Sequence, residues 1–218
     1  MPSSEERFQR AWMLGSNATM MISWARVLRT FYRHHDELLW GDPELSTLCE
    51  ATLVRDLRLA LVVSFLEFFN SMVGLTKSNP KSVLLFAVVR AGVEMLAAPM
   101  LPSCRQWQHL YTTFIWSLGD TVRFGCFVLD IMVPNARLAK SIRYTVGPVL
   151  FPFGAFGEVL MLVEVARYRS WYWLYLLAAL WPLGFVPLMK QLLKNRRKFF
   201  AAAGRGGEKG EKAKVKSV

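Results

Sequence analysis

Six long apolar stretches constrain the fold of this chain more than any other feature of its sequence. They cover residues 11–32, 57–75, 82–101, 107–132, 144–165 and 170–192. Each is long enough for a helix to cross a hydrocarbon layer of ~30 Å, which takes ~20 residues. Because a lipid-exposed backbone must satisfy its own hydrogen bonds, stretches of this kind are expected to be helical. The sequence therefore predicts an all-α fold, a polytopic membrane bundle of six transmembrane helices.

The composition favours a membrane protein with basic segments outside the lipid. The chain is 53% hydrophobic and carries 27 Lys and Arg against 16 Asp and Glu. In a nucleic-acid-binding protein the basic residues would line one face of a soluble core. Here they lie between apolar stretches and in the C-terminal tail, so no nucleic-acid partner is expected. The three cysteines include no C-x-x-C pair, and neither a zinc site nor a cofactor is predicted.

The charges of the connecting segments predict the orientation in the membrane. The segments after the second and fourth stretches are basic, and so is the end of the sixth, whereas the segment after the first is acidic. Since Lys and Arg accumulate on the cytosolic side, both termini are expected to be cytosolic. Residues 1–198 are then one six-span domain. Residues 199–218, rich in Gly and Lys, are predicted to be a disordered cytosolic tail.

The last five residues, Lys214 to Val218, resemble the K-x-K-x-x retrieval signal of endoplasmic-reticulum membrane proteins. Such a signal works only on a cytosolic tail, which agrees with the orientation predicted from charge. The expected location is therefore the endoplasmic-reticulum membrane.

Charged residues interrupt the apolar stretches. They are Arg26, Glu67, Arg90, Glu94, Asp120, Arg123, Glu158 and Glu164. Within a bundle such groups face inward, where they pair with one another or line a wet cavity. Arg26 and Glu164 lie near the ends of their stretches, where a long side chain can also reach the interface. Five others lie deeper, so a functional role is expected for them first: Glu67, Arg90, Asp120, Arg123 and Glu158.

Residues 143–158, RYTVGPVLFPFGAFGE, concentrate several chemical features on one helical face. At 100° per residue, Arg143, Phe151, Gly154 and Glu158 fall within roughly 80° of one another. Two prolines in the segment remove backbone donors and leave carbonyls that need water or polar partners. The face is consistent with a reaction chamber. It is equally consistent with a kinked packing helix.

In the packing alternative, Glu158 forms a buried ion pair with Arg90 or Arg123. Residues alone do not decide between this alternative and a reaction chamber.

The same segment resembles the signature R-Y-x-x-x-x-x-L-Y-P-x-G-x-x-x-E of the very-long-chain 3-hydroxyacyl-CoA dehydratase family, also called protein-tyrosine-phosphatase-like A. Matching positions are Arg143, Tyr144, Leu150, Pro152, Gly154 and Glu158. Residues 65–80, 88–92, 116–127 and 183–198 resemble further blocks of the family in the same order. The resemblance extends over almost all of residues 11–198.

The resemblance implies the third step of microsomal fatty-acid elongation, in which a (3R)-3-hydroxyacyl-CoA loses water to give a trans-2-enoyl-CoA. This reaction needs a base for the proton at C2 and an acid for the departing hydroxyl. Glu158 matches the family's catalytic Glu and is expected to be the base. Phe151 stands at the position of the family's catalytic Tyr and has no proton to donate.

The resemblance also assigns the lining of the chamber and the partners. The residues expected to bind substrate or shape the chamber are Arg143, Gly154, Arg90, Glu67 and Arg123. The expected partners are a long-chain 3-hydroxyacyl-CoA, membrane lipid and other elongation enzymes. Phe86, Phe124, Phe127 and Asn70 depart from the family's polar residues at matched positions.

Three other functions are compatible with parts of the sequence. The first is a catalytically impaired member of the family that binds acyl chains or acts as a scaffold for the elongation complex. The second is a phosphatase, since Cys49 and Arg55 have the spacing of a phosphate-binding loop, although no Gly lies between them. The third is a transporter, for which the sequence shows no inverted repeat.

Overall fold

The computed structural model describes residues 3–34, 36, 38, 49–76, 78–101, 106–133 and 137–215. Throughout these residues the regular structure is helical, and no strand occurs among them. The helices are α1 Ser4–Arg33, α2 Arg55–Met72, α3 Pro80–Gly92, α4 Trp107–Met132, α5 Arg137–Arg169 and α6 Trp173–Val215. The predicted all-α fold is confirmed, and each predicted stretch overlaps one of these helices.

Three segments of the described chain are long and apolar enough to cross a membrane. They are Pro80–Met100, Arg137–Arg169 and Trp173–Ala201, which correspond to α3 with its continuation, α5 and α6. None of the other three described helices contains a continuous stretch that meets both conditions. Three membrane-crossing helices are thus supported by length and composition, while the six-span bundle stays a prediction.

Helix α1 begins well before the apolar stretch that predicted it. The hydroxyl of Ser3 accepts from the backbone N–H of Glu6 at 3.1 Å, and the Glu6 carboxylate accepts from the N–H of Ser3 at 2.9 Å. This reciprocal pair is a capping box, which satisfies two N–H groups that the helix leaves free. A local polar signal therefore sets the start of α1, whereas the apolar residues set only the part that packs.

Two helices are extended by irregular helical turns. A π-helical turn, Val93–Ala97, and a 3₁₀ turn, Ala98–Met100, continue α3. Another π-helical turn, Cys49–Val54, leads into α2. The backbone between Cys49 and Arg55 is therefore helical and does not form the loop of amides that a phosphatase needs. The phosphatase alternative from the sequence is wrong.

Five of the helices close into a ring. Helix α1 packs against α2 and α4, α2 packs against α3, and α4 packs against α5. The ring closes where the π-helical and 3₁₀ turns after α3 contact α5. Helix α6 packs along α5 on the outside. The interior contains both apolar side chains, such as Trp24 and Phe124, and charged ones, such as Glu94 and Glu158.

The last helix extends further than the sequence predicts. It runs to Val215, so the structure does not show the disordered tail expected for residues 199–218. Ala, Lys and Glu after residue 200 favour a helix, whereas the four glycines of this segment oppose it. Residues 216–218 of the expected retrieval signal lie outside the described residues.

Candidate functional site

The carboxylate of Glu158 lies inside the bundle and is bound by two tryptophans. Glu158 is 3% exposed. Trp116 of α4 donates its indole N–H to Oε1 at 3.2 Å, and Trp181 of α6 donates its indole N–H to Oε2 at 2.8 Å. Each oxygen can accept a further hydrogen bond, because a carboxylate oxygen has two lone pairs. Three helices therefore converge on one buried carboxylate.

Two glycines of α5 allow α4 to come this close. A Cβ on Gly154 would lie 3.4 Å from Cδ1 of Trp116. A Cβ on Gly157 would lie 2.5 Å from Oγ1 and 3.2 Å from Cα of Thr112, which is too close for any larger residue. Glycine at these positions brings the α5 backbone next to α4 and places Glu158 within reach of Trp116. Of the four residues that the sequence places on one face of α5, Gly154 and Glu158 are buried.

Phe151 lies in a layer of aromatic rings. Its ring centroid is 5.4 Å from that of Phe86 on α3 and 5.3 Å from that of Phe185 on α6. The Phe185 centroid in turn lies 6.2 Å from that of Trp181, which binds Glu158. These four residues, Phe86, Phe151, Phe185 and Trp181, are called the aromatic layer below. Phe151 is thus connected to Glu158 through aromatic rings.

The interior charges pair among α2, α3 and α4. Arg123 donates to both carboxylate oxygens of Glu67, at 3.2 and 2.8 Å. Its Nε also lies 3.1 Å from Oδ1 of Asp120, whose other oxygen accepts from Arg90. These four residues form the charge network referred to below. The sequence favoured a functional role for these deeper charges over pairing, whereas the structure shows them paired with one another.

The alternative prediction that Glu158 forms an ion pair with Arg90 or Arg123 is wrong. Arg90 and Arg123 pair with Asp120 and Glu67, and no cationic nitrogen of the described chain lies within 4.0 Å of the Glu158 carboxylate. Indole donors bind it instead. Which arginine meets which carboxylate depends on how the helices rotate against each other, and the sequence does not specify this rotation.

The charge network nevertheless reaches the site through Arg90. Its guanidinium carbon lies 5.3 Å from the ring of Trp116 and 5.5 Å from the ring of Phe86. A cation over an aromatic face is attracted by the electron density of the ring. Arg90 therefore contacts both the indole that binds Glu158 and one ring of the aromatic layer.

Arg143 lies apart from Glu158. It precedes Glu158 by fifteen residues on α5, which corresponds to about 22 Å of helix. Its guanidinium stacks 4.5 Å from the ring of Phe127 and hydrogen-bonds the hydroxyl of Tyr144 at 3.1 Å. The structure therefore brings together Glu158, Gly154 and Arg90, with Phe151 joined to them through the aromatic layer. It places Arg143 nearer the start of α5.

Sequence reasoning overlooked Trp116 and Trp181 as partners of Glu158. Trp181 lies eight residues into α6, and a buried indole N–H almost always needs an acceptor. The available signal was a tryptophan well inside an apolar stretch, because its N–H needs an acceptor there.

A second buried acidic group lies nearer the start of α4. His109 Nε2 lies 2.9 Å from Oε2 of Glu94, and both side chains are 1% exposed. Arg58 lies 3.9 Å from the other oxygen of Glu94. Across the described part of the chain, no three His, Cys, Asp or Glu side chains come together as a metal site would need.

The fold and the site define an all-helical bundle with helices of membrane-crossing length and a carboxylate bound by indoles in its interior. Residues 61–202 match the family described as protein tyrosine phosphatase-like protein, PTPLA. The chain belongs to this family.

Two curated proteins show the same relationship. The very-long-chain (3R)-3-hydroxyacyl-CoA dehydratase hpo-8 of Caenorhabditis elegans is 23% identical over 159 residues, 70% of this chain and 69% of that protein. A probable very-long-chain (3R)-3-hydroxyacyl-CoA dehydratase of Schizosaccharomyces pombe is 20% identical over 169 residues, 74% of this chain and 81% of that protein. No solved structure matches the chain significantly.

Proposed function

We propose that this protein is a very-long-chain (3R)-3-hydroxyacyl-CoA dehydratase that spans the endoplasmic-reticulum membrane six times, with both termini in the cytosol. The observation that carries the proposal is the buried Glu158 carboxylate, bound by two neutral indoles and by no cation of the described chain. Membership of the family and the names of the two relatives support the substrate class. The product is a trans-2-enoyl-CoA, formed in the third step of microsomal elongation.

In the proposed reaction Glu158 acts first as the base. Its carboxylate takes the proton from C2 of the acyl chain, and the electron pair of that C–H bond forms the C2=C3 double bond. The C3–O bond breaks, and the hydroxyl leaves as water after receiving a proton. In the absence of a tyrosine at position 151, protonated Glu158 supplies that proton, directly or through a water molecule. The base is thereby regenerated within one turnover.

The two indoles are suited to orient this carboxylate. Trp116 and Trp181 hold one oxygen each, so the carboxylate plane is fixed by donors from α4 and α6. An indole carries no charge, and it therefore holds the group without the strong stabilisation of the anion that an arginine would give. The indoles thus orient Glu158 without forming an ion pair with it.

The basic start of α5 is suited to the anionic end of the substrate. Arg137, Lys140 and Arg143 lie within its first two turns. Lys140 pairs with Asp130 at 3.0 Å, which leaves Arg137 and Arg143 as the better phosphate ligands. With the termini in the cytosol, this end of α5 faces the compartment that contains CoA. The acyl chain would then run along α5 toward Glu158.

A second candidate function is a catalytically impaired dehydratase-like protein that binds acyl chains or other elongation enzymes. The aromatic layer favours it, because Phe151 packs on Phe86 and Phe185 where a dehydratase of this family has a hydroxyl. An apolar layer next to a buried carboxylate can hold an acyl chain without acting on it.

One experiment separates the two candidates. The full chain is purified in detergent, given a long-chain (3R)-3-hydroxyacyl-CoA, and assayed for enoyl-CoA by mass spectrometry. We expect product from the native chain and none from Glu158→Gln, because an amide cannot take the proton. Glu164→Gln is the matched control, since it makes the same change six residues further along α5.

The variant Phe151→Tyr completes the test. Product from the native chain that disappears in Glu158→Gln and persists in Glu164→Gln would contradict the impaired candidate. Product that requires Phe151→Tyr would contradict the proposed dehydratase and support the impaired one. Equal product from native and Glu158→Gln chains would contradict the assigned role of Glu158.

A further inference from the structure

A cleft of about 300 Å³ opens between the end of α1 and the start of α2. It is lined by Arg26, Arg29, Thr30, Arg33, His34, Thr52, Arg55 and Asp56. None of these residues belongs to the site around Glu158, the aromatic layer or the charge network. This surface is called the arginine cleft below.

The arginine cleft carries a clear excess of positive charge. Four of its lining residues are arginines, and one is a carboxylate. That carboxylate, Asp56, is 5% exposed and already accepts hydrogen bonds from Arg26 and Thr30, each at 3.1 Å. It therefore has little capacity left to neutralise the other arginines.

Two of the arginines have no acidic partner in the described part of the chain. Neither Arg29 nor Arg33 lies within 4.0 Å of a described carboxylate, and both are exposed. Arg55 reaches Asp56 only at 3.7 Å. Like charges in one cleft repel each other, so an anion that enters between them relieves this repulsion as well as forming its own contacts.

The helical spacing turns the arginines toward the same space. Arg26, Arg29 and Arg33 lie three and four residues apart on α1, so they project within about 60° of one another. Arg55 faces them from α2. The planar guanidinium presents paired N–H donors that match the oxygens of a phosphate. Convergence of such groups from two helices distinguishes this cleft from scattered surface charges.

The position of the cleft indicates where a phosphate would come from. It lies at the end of α1, where the apolar stretch 11–32 also ends and the chain is expected to leave the lipid. Lipid phosphates lie at this level of a bilayer. The expected orientation places this end in the lumen, where the bias of Lys and Arg toward the cytosol does not account for the arginines.

We propose that the arginine cleft is a binding site for a phosphate group, either that of a lipid with a phosphomonoester headgroup or soluble phosphate. The site is separate from the proposed acyl-CoA site, and the proposal does not depend on the dehydratase activity.

The test uses the full chain in detergent and three probes: dioleoyl phosphatidic acid, dioleoyl phosphatidylcholine and inorganic phosphate. Native mass spectrometry measures bound lipid, and calorimetry measures bound phosphate. We expect phosphatidic acid to bind more tightly than phosphatidylcholine. The variant R29Q/R33Q should weaken phosphate or phosphatidic acid binding about tenfold, because it removes charge-assisted hydrogen bonds.

The matched control is R167Q/R169Q, which removes the same charge from exposed arginines at the end of α5. It should leave binding unchanged. Binding of phosphatidic acid alone identifies a lipid headgroup, and binding of inorganic phosphate as well identifies a general phosphate site; either supports the proposal. If R29Q/R33Q does not elute as the native species, the single variant R33Q replaces it.

Three results would overturn the proposal. The first is the absence of binding by either phosphate probe. The second is an equal loss of binding in R29Q/R33Q and R167Q/R169Q, which would indicate attraction by net charge. The third is binding that appears only in D42N/E44Q, which would indicate that the arginines serve the acidic segment that follows α1 in the sequence.

Discussion

The indole nitrogen of Trp181 lies 2.8 Å from Oε2 of Glu158. This contact links α6, which packs along α5 on the outside of the ring, to a buried carboxylate in the interior. Much of α6 is exposed, including Leu176, Leu180 and Leu183, while Leu174 and Ala178 are buried. The hydrogen bond therefore fixes both the position of the helix and the orientation of the carboxylate.

Substitution of Trp181 by Phe should affect both stability and activity. The variant keeps an aromatic ring next to Phe185 but leaves Oε2 of Glu158 without its indole donor. A buried acceptor that loses its partner costs about 1–3 kcal/mol of unfolding free energy, and a less fixed carboxylate should lower kcat. Chemical unfolding in detergent and the dehydration assay measure the two effects. Trp173→Phe, at a site 59% exposed, is the control and should change neither.

Substitution of Gly157 by Ala should separate α4 from α5. The added Cβ would lie 2.5 Å from Oγ1 and 3.2 Å from Cα of Thr112, so the backbones must move apart. Overpacking of this kind costs about 1–3 kcal/mol, and the shift also moves Glu158 away from Trp116. Gly147→Ala on the same helix meets no atom within 4 Å and should be neutral or stabilising. Equal melting temperatures for the two variants would contradict the close approach of α5 to α4 at Gly157.

The sequence predicted some elements closely and others poorly, for physical reasons. The apolar stretch 107–132 coincides with α4, whose ends are also the ends of its apolar pattern. The stretch 144–165 lies within α5, which extends to Arg137 and Arg169, because polar residues can continue a helix beyond the lipid. Apolarity thus indicates the part of a helix that can lie in lipid, whereas caps and propensity determine its ends.

The same distinction applies to the site. Gly154 and Glu158 were predicted on one face because their spacing on a single helix determines it. The pairing of Arg123 with Glu67, 56 residues away in the chain, depends on the rotation and depth of two helices. Such long-range contacts leave no period in the sequence.

Both termini should be accessible from the cytosol. This orientation follows from the basic segments after the second and fourth apolar stretches and from an even number of spans. Epitope tags at either end should be detected in cells whose plasma membrane alone is permeabilised by digitonin. A tag inserted at residue 42, in the segment after α1, should be detected only after full permeabilisation. Detection of the two terminal tags under different conditions would show an odd number of spans and contradict the six-span proposal.

The charge network should be energetically coupled, and a double-mutant cycle can measure the coupling. Arg123→Gln leaves Glu67 without its two guanidinium hydrogen bonds, and Glu67→Gln leaves Arg123 with Asp120 only. Arg123→Gln should lower the free energy of unfolding by about 2 kcal/mol, because it leaves the largely buried carboxylate of Glu67 without its cation. Glu67→Gln should cost less, because Arg123 is 38% exposed and keeps Asp120. The double variant should lose less than the sum of the two, by about 1–2 kcal/mol.

The pair of Asp130 and Lys140 provides the control cycle. It joins α4 to α5 by one contact at 3.0 Å. Its carboxylate is 24% exposed, against 13% for Glu67, whereas its cation, at 36%, is about as exposed as Arg123, at 38%. Its coupling should be below about 1 kcal/mol, as for other exposed pairs. Additive losses for Glu67 and Arg123 would mean that their contact does not stabilise the bundle. Arg90 would still join α3 to α4 through Asp120, next to the indole that binds Glu158.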